Sequence, residues 1–163
     1  MAQQQTLETL FVETLKDIFY AEKQILKALP KMARSAESPE LKQAFQQHRD
    51  ETEGHVERLQ QIFEMLEKPA RGKTCDAILG IIEEGKEVME EFEGSDALDA
   101  GLTAAAQAVE HYEIARYGTL KTWAMQLGMK DAAALLDQTL QEEKKTDELL
   151  SSLAGQTVNK KAA

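Results

Sequence analysis

The stretch AQAVEHYEIARYGTL, residues 106–120, has the spacing of one helix whose inward face should be apolar. Stepping along that face gives Ala106, Glu110, Glu113, Tyr117, Leu120 and then Ala124. Residues three and four apart share a helix face, so two carboxylates and a tyrosine are turned toward whatever this helix packs on. Two of the six positions are acidic, and the rest of the chain has to account for them.

Working outward, helical periodicity continues on both sides and no segment alternates as a half-buried strand does. The helix spans about 96–127, with Ser95 expected as its N-cap, and the tight turn LGMK at Gly128 leads into a helix over about 129–153. Upstream, a helix over about 5–36 carries the seam Phe11, Leu15, Ile18, Glu22, Ile25, Leu29, whose steps of four and three are those of a bundle. Pro30 should kink or weaken it. Ser38 and Pro39 then suit the cap and first position of a helix over about 39–67, with the seam Leu41, Phe45, His48, Thr52, His55, Leu59, Ile62, Leu66. A shorter helix over about 74–92 carries Ile78, Ile81, Ile82, Val88 and Met89, and the polar tail 154–163 is expected to fray. Two long helical hairpins joined by a connection of about 28 residues predict an all-α four-helix bundle with one crossover and a short fifth helix, in a single domain over 1–163. An open helical array has the same periodicity.

Composition agrees with a helical globular chain: 42% hydrophobic, 29% charged, and only 9 glycines and 3 prolines in 163 residues. The net charge of −10 repels phosphate backbones and anionic membranes, which argues against nucleic-acid or membrane partners and for cations. The start MAQQQTLETLF lacks the basic-then-apolar pattern of a signal peptide, and no apolar run approaches a membrane span. Cys75 is the single cysteine, so a soluble cytoplasmic protein is expected.

Every long helix breaks its seam with polar residues near mid-length: Glu22; His48, Thr52 and His55 with Glu51 beside them; Glu110 and Glu113; Glu143 and Asp147 between leucines. In an antiparallel pair, residues equally far from the turn lie side by side. Centring the first turn near 37 sets Glu22 opposite Thr52; centring the second near 128–129 sets Glu113 opposite Lys144, beside Glu143, and Glu110 opposite Asp147. The polar residues therefore fall at one height. Gathered in a low-dielectric interior, that many acids must take up protons or bind cations. Two divalent ions would neutralise most of the charge, and carboxylate with imidazole suits iron or manganese, whereas structural zinc favours thiolates.

The stretches DIFYAEKQILKALPKMA, HRDETEGHVERL, AAQAVEHYEIARYGTL and LQEEKKTDELL resemble the YciF-like family of bacterial stress-response proteins, within the ferritin-like, rubrerythrin-related superfamily. The resemblance implies a ferritin-like bundle holding two iron or manganese ions per chain, with ligands at Glu22, Glu51 and His55, Glu110 and Glu113, and Glu143. It also implies a homodimer and a reaction with dioxygen or peroxide, as in peroxide detoxification. Two features depart from the superfamily pattern: Glu51 and His55 are four apart, and Asp147 stands where a histidine is expected. His48 competes with His55 as the imidazole ligand, and both stay open. Tyr117, on the face of Glu110 and Glu113, is the candidate to hydrogen-bond a ligand or donate an electron. His111 points about 100° away and suits a surface or interface, while Trp123 and the methionines suit packing. The competing function is a non-enzymatic dimeric stress protein with a degenerate metal site, acting by partner binding or metal buffering.

Overall fold

A computed structural model describes residues 4–163; the first three residues of the MAQQQTLETLF segment lie outside the described residues. Five helices follow one another: α1 (Leu7–Ser35), α2 (Pro39–Met65), α3 (Asp76–Glu91), α4 (Leu98–Gln126) and α5 (Lys130–Leu153). Helices α1 and α2 pack as one hairpin and α4 and α5 as the other; α2 lies against α5 and α1 against α4. The crossover helix α3 lies on α4 and α1. This is the bundle with a crossover that the hairpin lengths predict, and no strand occurs among the described residues.

Local chemistry sets the ends of the helices. Thr6 Oγ1 accepts the Thr9 N–H at 3.2 Å and starts α1, which runs through Pro30 without ending there. Ser38 Oγ accepts the Leu41 N–H at 3.3 Å, with Pro39 in the first turn of α2. At the other hairpin, Gly128 has φ +76° and closes α4: the Met129 N–H bonds the Ala124 carbonyl at 2.8 Å and the Gly128 N–H the Met125 carbonyl at 3.1 Å.

Two expectations are corrected. Helix α4 begins at Leu98 with Ala97 as a cap lacking any side-chain bond, and Ser95 instead shapes the preceding turn, its Oγ accepting from the Ala97 N–H at 3.3 Å. The tail does not fray: Ala154–Val158 form a π-helical turn and Asn159–Ala162 a last helical turn, α6. Val158 is buried there and Lys161 Nζ reaches Glu37 Oε2 at 2.7 Å. A lone valine in a polar stretch has no periodicity to read; its burial comes from the α4 surface beside it.

Side chains such as Phe11, Leu15, Leu41, Phe45, Leu59, Ile62, Leu102 and Leu136 fill the interior, each fully buried or nearly so. Burial of each such side chain stabilises the fold by about 1.5–3 kcal/mol. Phe19 and Phe63 meet edge to face, 5.5 Å between centroids. The buried seam is interrupted by Glu22, His48, Thr52, His55, Glu110, Glu113 and Glu143, so the bundle encloses a polar middle.

Candidate metal centre

Six of the seam residues converge. His48, Glu110, Glu113 and Glu143 bring four potential ligand atoms within 4.8 Å of one another, and Glu22, His55 and Glu143 do the same beside them. Glu143, from α5, belongs to both groups. His48 Nε2 is 2.7 Å from Glu110 Oε1 and 4.0 Å from Glu143 Oε2. His55 Nδ1 is 2.9 Å from Glu143 Oε1 and 3.6 Å from Glu22 Oε1. Tyr117 Oη donates to Glu22 Oε1 at 2.6 Å.

Closeness here does not amount to pairing. His48 Nδ1 and Nε2, His55 Nδ1, Glu22 Oε2, Glu110 Oε2 and both oxygens of Glu113 and Glu143 are buried without a hydrogen-bond partner of proper geometry. Buried polar atoms left unpaired are costly and rare. Nitrogen and oxygen atoms that crowd together without aiming at one another are arranged around common points between them. Four carboxylates match the charge of two divalent ions, and a mixed carboxylate–imidazole set suits iron or manganese. The residues present fit such a pair of ions. Cys75 takes no part: its Sγ lies 3.0 Å from Tyr112 Oη, which itself donates to Asp17 Oδ2 at 2.6 Å.

Without metal, protons must balance the charge. Burial and the neighbouring Glu143 charge push the Glu110 carboxyl well above its usual range, and burial with Glu143 and Glu22 does the same to Glu113. Burial alone would hold His55 neutral, but Glu22 and Glu143 raise it to about 10. His48 is likewise raised, against its burial, chiefly by Glu110. Glu143, despite its burial, is kept ionised by the Glu110 proton and both imidazoles. Burial beside Glu22 holds the Tyr117 phenol protonated.

Around the cluster, each histidine has an outer carboxylate. His55 Nε2 donates to Glu142 Oε2 at 2.9 Å, and Arg58 grips Glu142 with two bonds of 2.7 and 2.8 Å while also donating to Thr139 at 3.1 Å. An N–H anchored on the outside fixes the ring and leaves Nδ1 facing the cluster. Glu51 plays a looser version of this part for His48, at 4.0 Å from Nδ1, and is itself held by Gln47 at 3.1 Å and Thr146 at 3.3 Å. Thr52, between the histidines, donates to the His48 carbonyl at 2.7 Å and so needs no partner in the cluster.

Of the eight metal candidates from the sequence, Glu22, His48, His55, Glu110, Glu113 and Glu143 are therefore brought together, and both histidines face inward. Glu51 and Asp147 are not: Glu51 stays half-buried behind His48, and Asp147 turns to His111 at 3.2 Å and Gln107 at 3.3 Å. His111 lies on the surface, and Trp123 packs half-buried against the core. Sequence reasoning missed Glu142 and Arg58. The available signal was slight: Glu142 precedes Glu143 and Arg58 follows His55 by three, which places one member of an oppositely charged pair near each ligand.

Residues 6–163 match the family model described as DUF892, a domain of unknown function. Protein YciF of Escherichia coli (strain K12) is 49% identical over 158 residues, covering 96% of this chain and 95% of YciF. The crystal structure of the E. coli stress protein YciF is similar with a TM-score of 0.91 at 48% identity, over 96% of this chain and 99% of that one. The YcfI protein of Rhodopseudomonas palustris has a TM-score of 0.89 at 47% identity, over 91% of this chain and 94% of its own. A protein from Xanthomonas campestris shares the fold, with a TM-score of 0.75 at 24% identity over 95% and 94% of the two chains. The chain belongs to the DUF892 family.

Proposed function

We propose that this DUF892 protein is a stress-response protein that holds two iron or manganese ions among Glu22, His48, His55, Glu110, Glu113 and Glu143 for reaction with dioxygen or peroxide. The observation carrying this reading is the set of buried, unpartnered donor atoms on four different helices, arranged in two groups that share Glu143. The stress role is supported by likeness to the E. coli stress protein YciF. Its single cysteine suits the cytoplasm, and the family resemblance suggests a homodimer, with small oxidants and metal ions as partners.

The bound ions would supply electrons to dioxygen or peroxide. The chain's own part is positional. Glu143 belongs to both groups and would help to hold both ions. Arg58 and Glu142 hold His55 in the orientation that offers Nδ1. Tyr117 fixes one oxygen of Glu22 and leaves the other free. Its protonated phenol, 2.6 Å from Glu22, would be a group able to pass a proton or an electron inward.

A second reading is favoured by the protons just described: the raised carboxyls and imidazoles balance the cluster without any metal, as a network that sets helix register in a non-enzymatic, partner-binding stress protein. Metal analysis of protein prepared without chelator separates the two. The metal reading expects about two iron or manganese per chain, one for each donor group, with loss of both in Glu143→Ala and peroxide consumption by the iron-loaded form. A protein that takes up no iron or manganese after anaerobic addition of either ion would sink it in favour of the register network.

A further inference from the structure

A cavity of about 290 Å³ opens between α1, α3 and α4 and ends on His48 and Glu110. Its walls are apolar, with Ile25, Leu29 and Met32 on α1 facing Ile82 and Met89 on α3. The hollow exists because Ala28, Gly85, Ala105 and Ala106 line it with little or no side chain. It is also why Ile81, Ile82 and Met89, expected as the buried side of α3, are only half-covered. Near the C-terminal end of α3, a Cβ on Gly101 would sit 2.5 Å from Val88 Cγ1, so α3 is pressed on α4 there. His48 and Glu110 are 3% and 1% exposed, and both ring nitrogens of His48 and Oε2 of Glu110 have no hydrogen-bond partner. The apolar chamber thus ends against the wall of the donor cluster, whose unpartnered atoms are themselves buried.

Small-molecule sites have this character: mostly apolar walls, a few placed polar groups, and volumes from about 300 Å³ upward. The rim adds charge. Lys27, Lys31 and Lys86 line it with exposed side chains, and Glu83, beside Lys86 at 3.4 Å, is the acid among them. On a chain of net charge −10, three lysines around one apolar opening select an anion.

We propose that this cavity binds a free medium-chain fatty acid, its carboxylate on the lysine rim and its chain lying along α3 with the far end at His48 and Glu110. The proposal names a ligand for the centre described above and rests on that reading only for what lies at the floor; the binding itself needs no metal.

The test is calorimetric titration of the full chain, metal-free and metal-loaded, with octanoate, decanoate and dodecanoate below their micelle concentrations, and with decanol. One site per chain is expected, tightening about fourfold per added methylene until the cavity is full. Ala105→Leu and Gly85→Leu, which add bulk to its lining from α4 and from α3, should abolish decanoate binding while metal content and thermal midpoint are retained. At Gly85 an added Cβ meets only Ala105 Cβ, in ordinary contact at 3.6 Å, so Gly85→Ala should fold and serves as the milder filling variant. The surface variant Lys31→Gln/Lys86→Gln should weaken decanoate about three- to tenfold and leave decanol unchanged. Absence of decanoate binding, or binding that survives both filling variants, overturns the proposal. So does binding that requires metal and ignores the lysines, because the carboxylate would then be a metal ligand. Leu79→Lys turning an oligomer into a monomer, with no decanoate bound, would assign the groove to a second copy of the chain and equally overturn it. Metal uptake is measured separately. Binding of decanoate by a chain that takes up no metal upholds the pocket and rejects the metal centre, and the opposite pair of results does the reverse.

Discussion

His55 meets different surroundings at its two nitrogens, and the difference decides what the ring can do. Nε2 is tied outward to the Glu142–Arg58 pair, while Nδ1 faces Glu143 and Glu22. Outer carboxylates of this kind raise ligand basicity and hold ring orientation. Glu142→Gln or Arg58→Met should therefore weaken metal binding about ten- to hundredfold in a chelator-competition titration, although neither residue belongs to the cluster. Glu51→Gln should do less, because Glu51 stands 4.0 Å from His48 and is partly in water. Glu22, Glu110, Glu113 and Glu143 were legible because an acid on an apolar helical seam contradicts its setting. Glu142 and Arg58 read as ordinary surface charge, since nothing in their spacing announces a partner more than 80 positions away.

At the scale of the helices, the turns carry much of the specificity. Gly128 at φ +76° allows the two bonds that end α4, and any side chain there is strained. Gly128→Ala should cost about 1–2 kcal/mol in chemical denaturation, with metal content unchanged. The first turn is held from a distance: Asp99, buried at the start of α4, accepts the Glu37 N–H at 2.8 Å and the Ser38 N–H at 2.7 Å. Asp99→Ala leaves those two N–H groups without their acceptor and should cost about 2–3 kcal/mol, also read by denaturation. Gly128 and Ser38 were visible in the sequence because turn and cap chemistry is local. Asp99 was not, because an acid two residues into a helix looks like a routine first-turn charge until the other hairpin arrives. The order of the tail had the same origin, in a contact between Val158 and a distant helix.

For the molecule as a whole, the buried cluster couples stability to pH and metal. A histidine whose folded pKa is raised binds its proton more tightly folded than unfolded. Its contribution is complete below its unfolded value near 6.5 and is lost as pH rises through the folded value of about 10 for His55. His48 and the raised carboxyls of Glu110 and Glu113 act in the same direction. Glu143, held low, acts oppositely: its contribution is present above about 4.5 and fades in acid. Metal-free protein should thus lose thermal stability steadily from pH 6.5 to 9.5 by scanning calorimetry. Metal-loaded protein should show a higher and flatter midpoint, because the ions displace those protons and bind more tightly as pH rises.

Periodicity is a local property, so the sequence alone determined the four long helices, their apolar seams, the hairpin pairing and the presence of misplaced acids at one height. Which polar residues meet across the bundle was decided only in the tertiary structure. Each residue along a helix turns the side chain by about 100°, so a stagger of one position between helices exchanges a buried ligand for its half-exposed neighbour. That exchange separates Glu143 from Glu142 on α5, and brings His48 inward while Glu51 and Asp147 remain outside. The apolar chamber under α3 depends on the same kind of fact, the distance at which one helix comes to rest on two others.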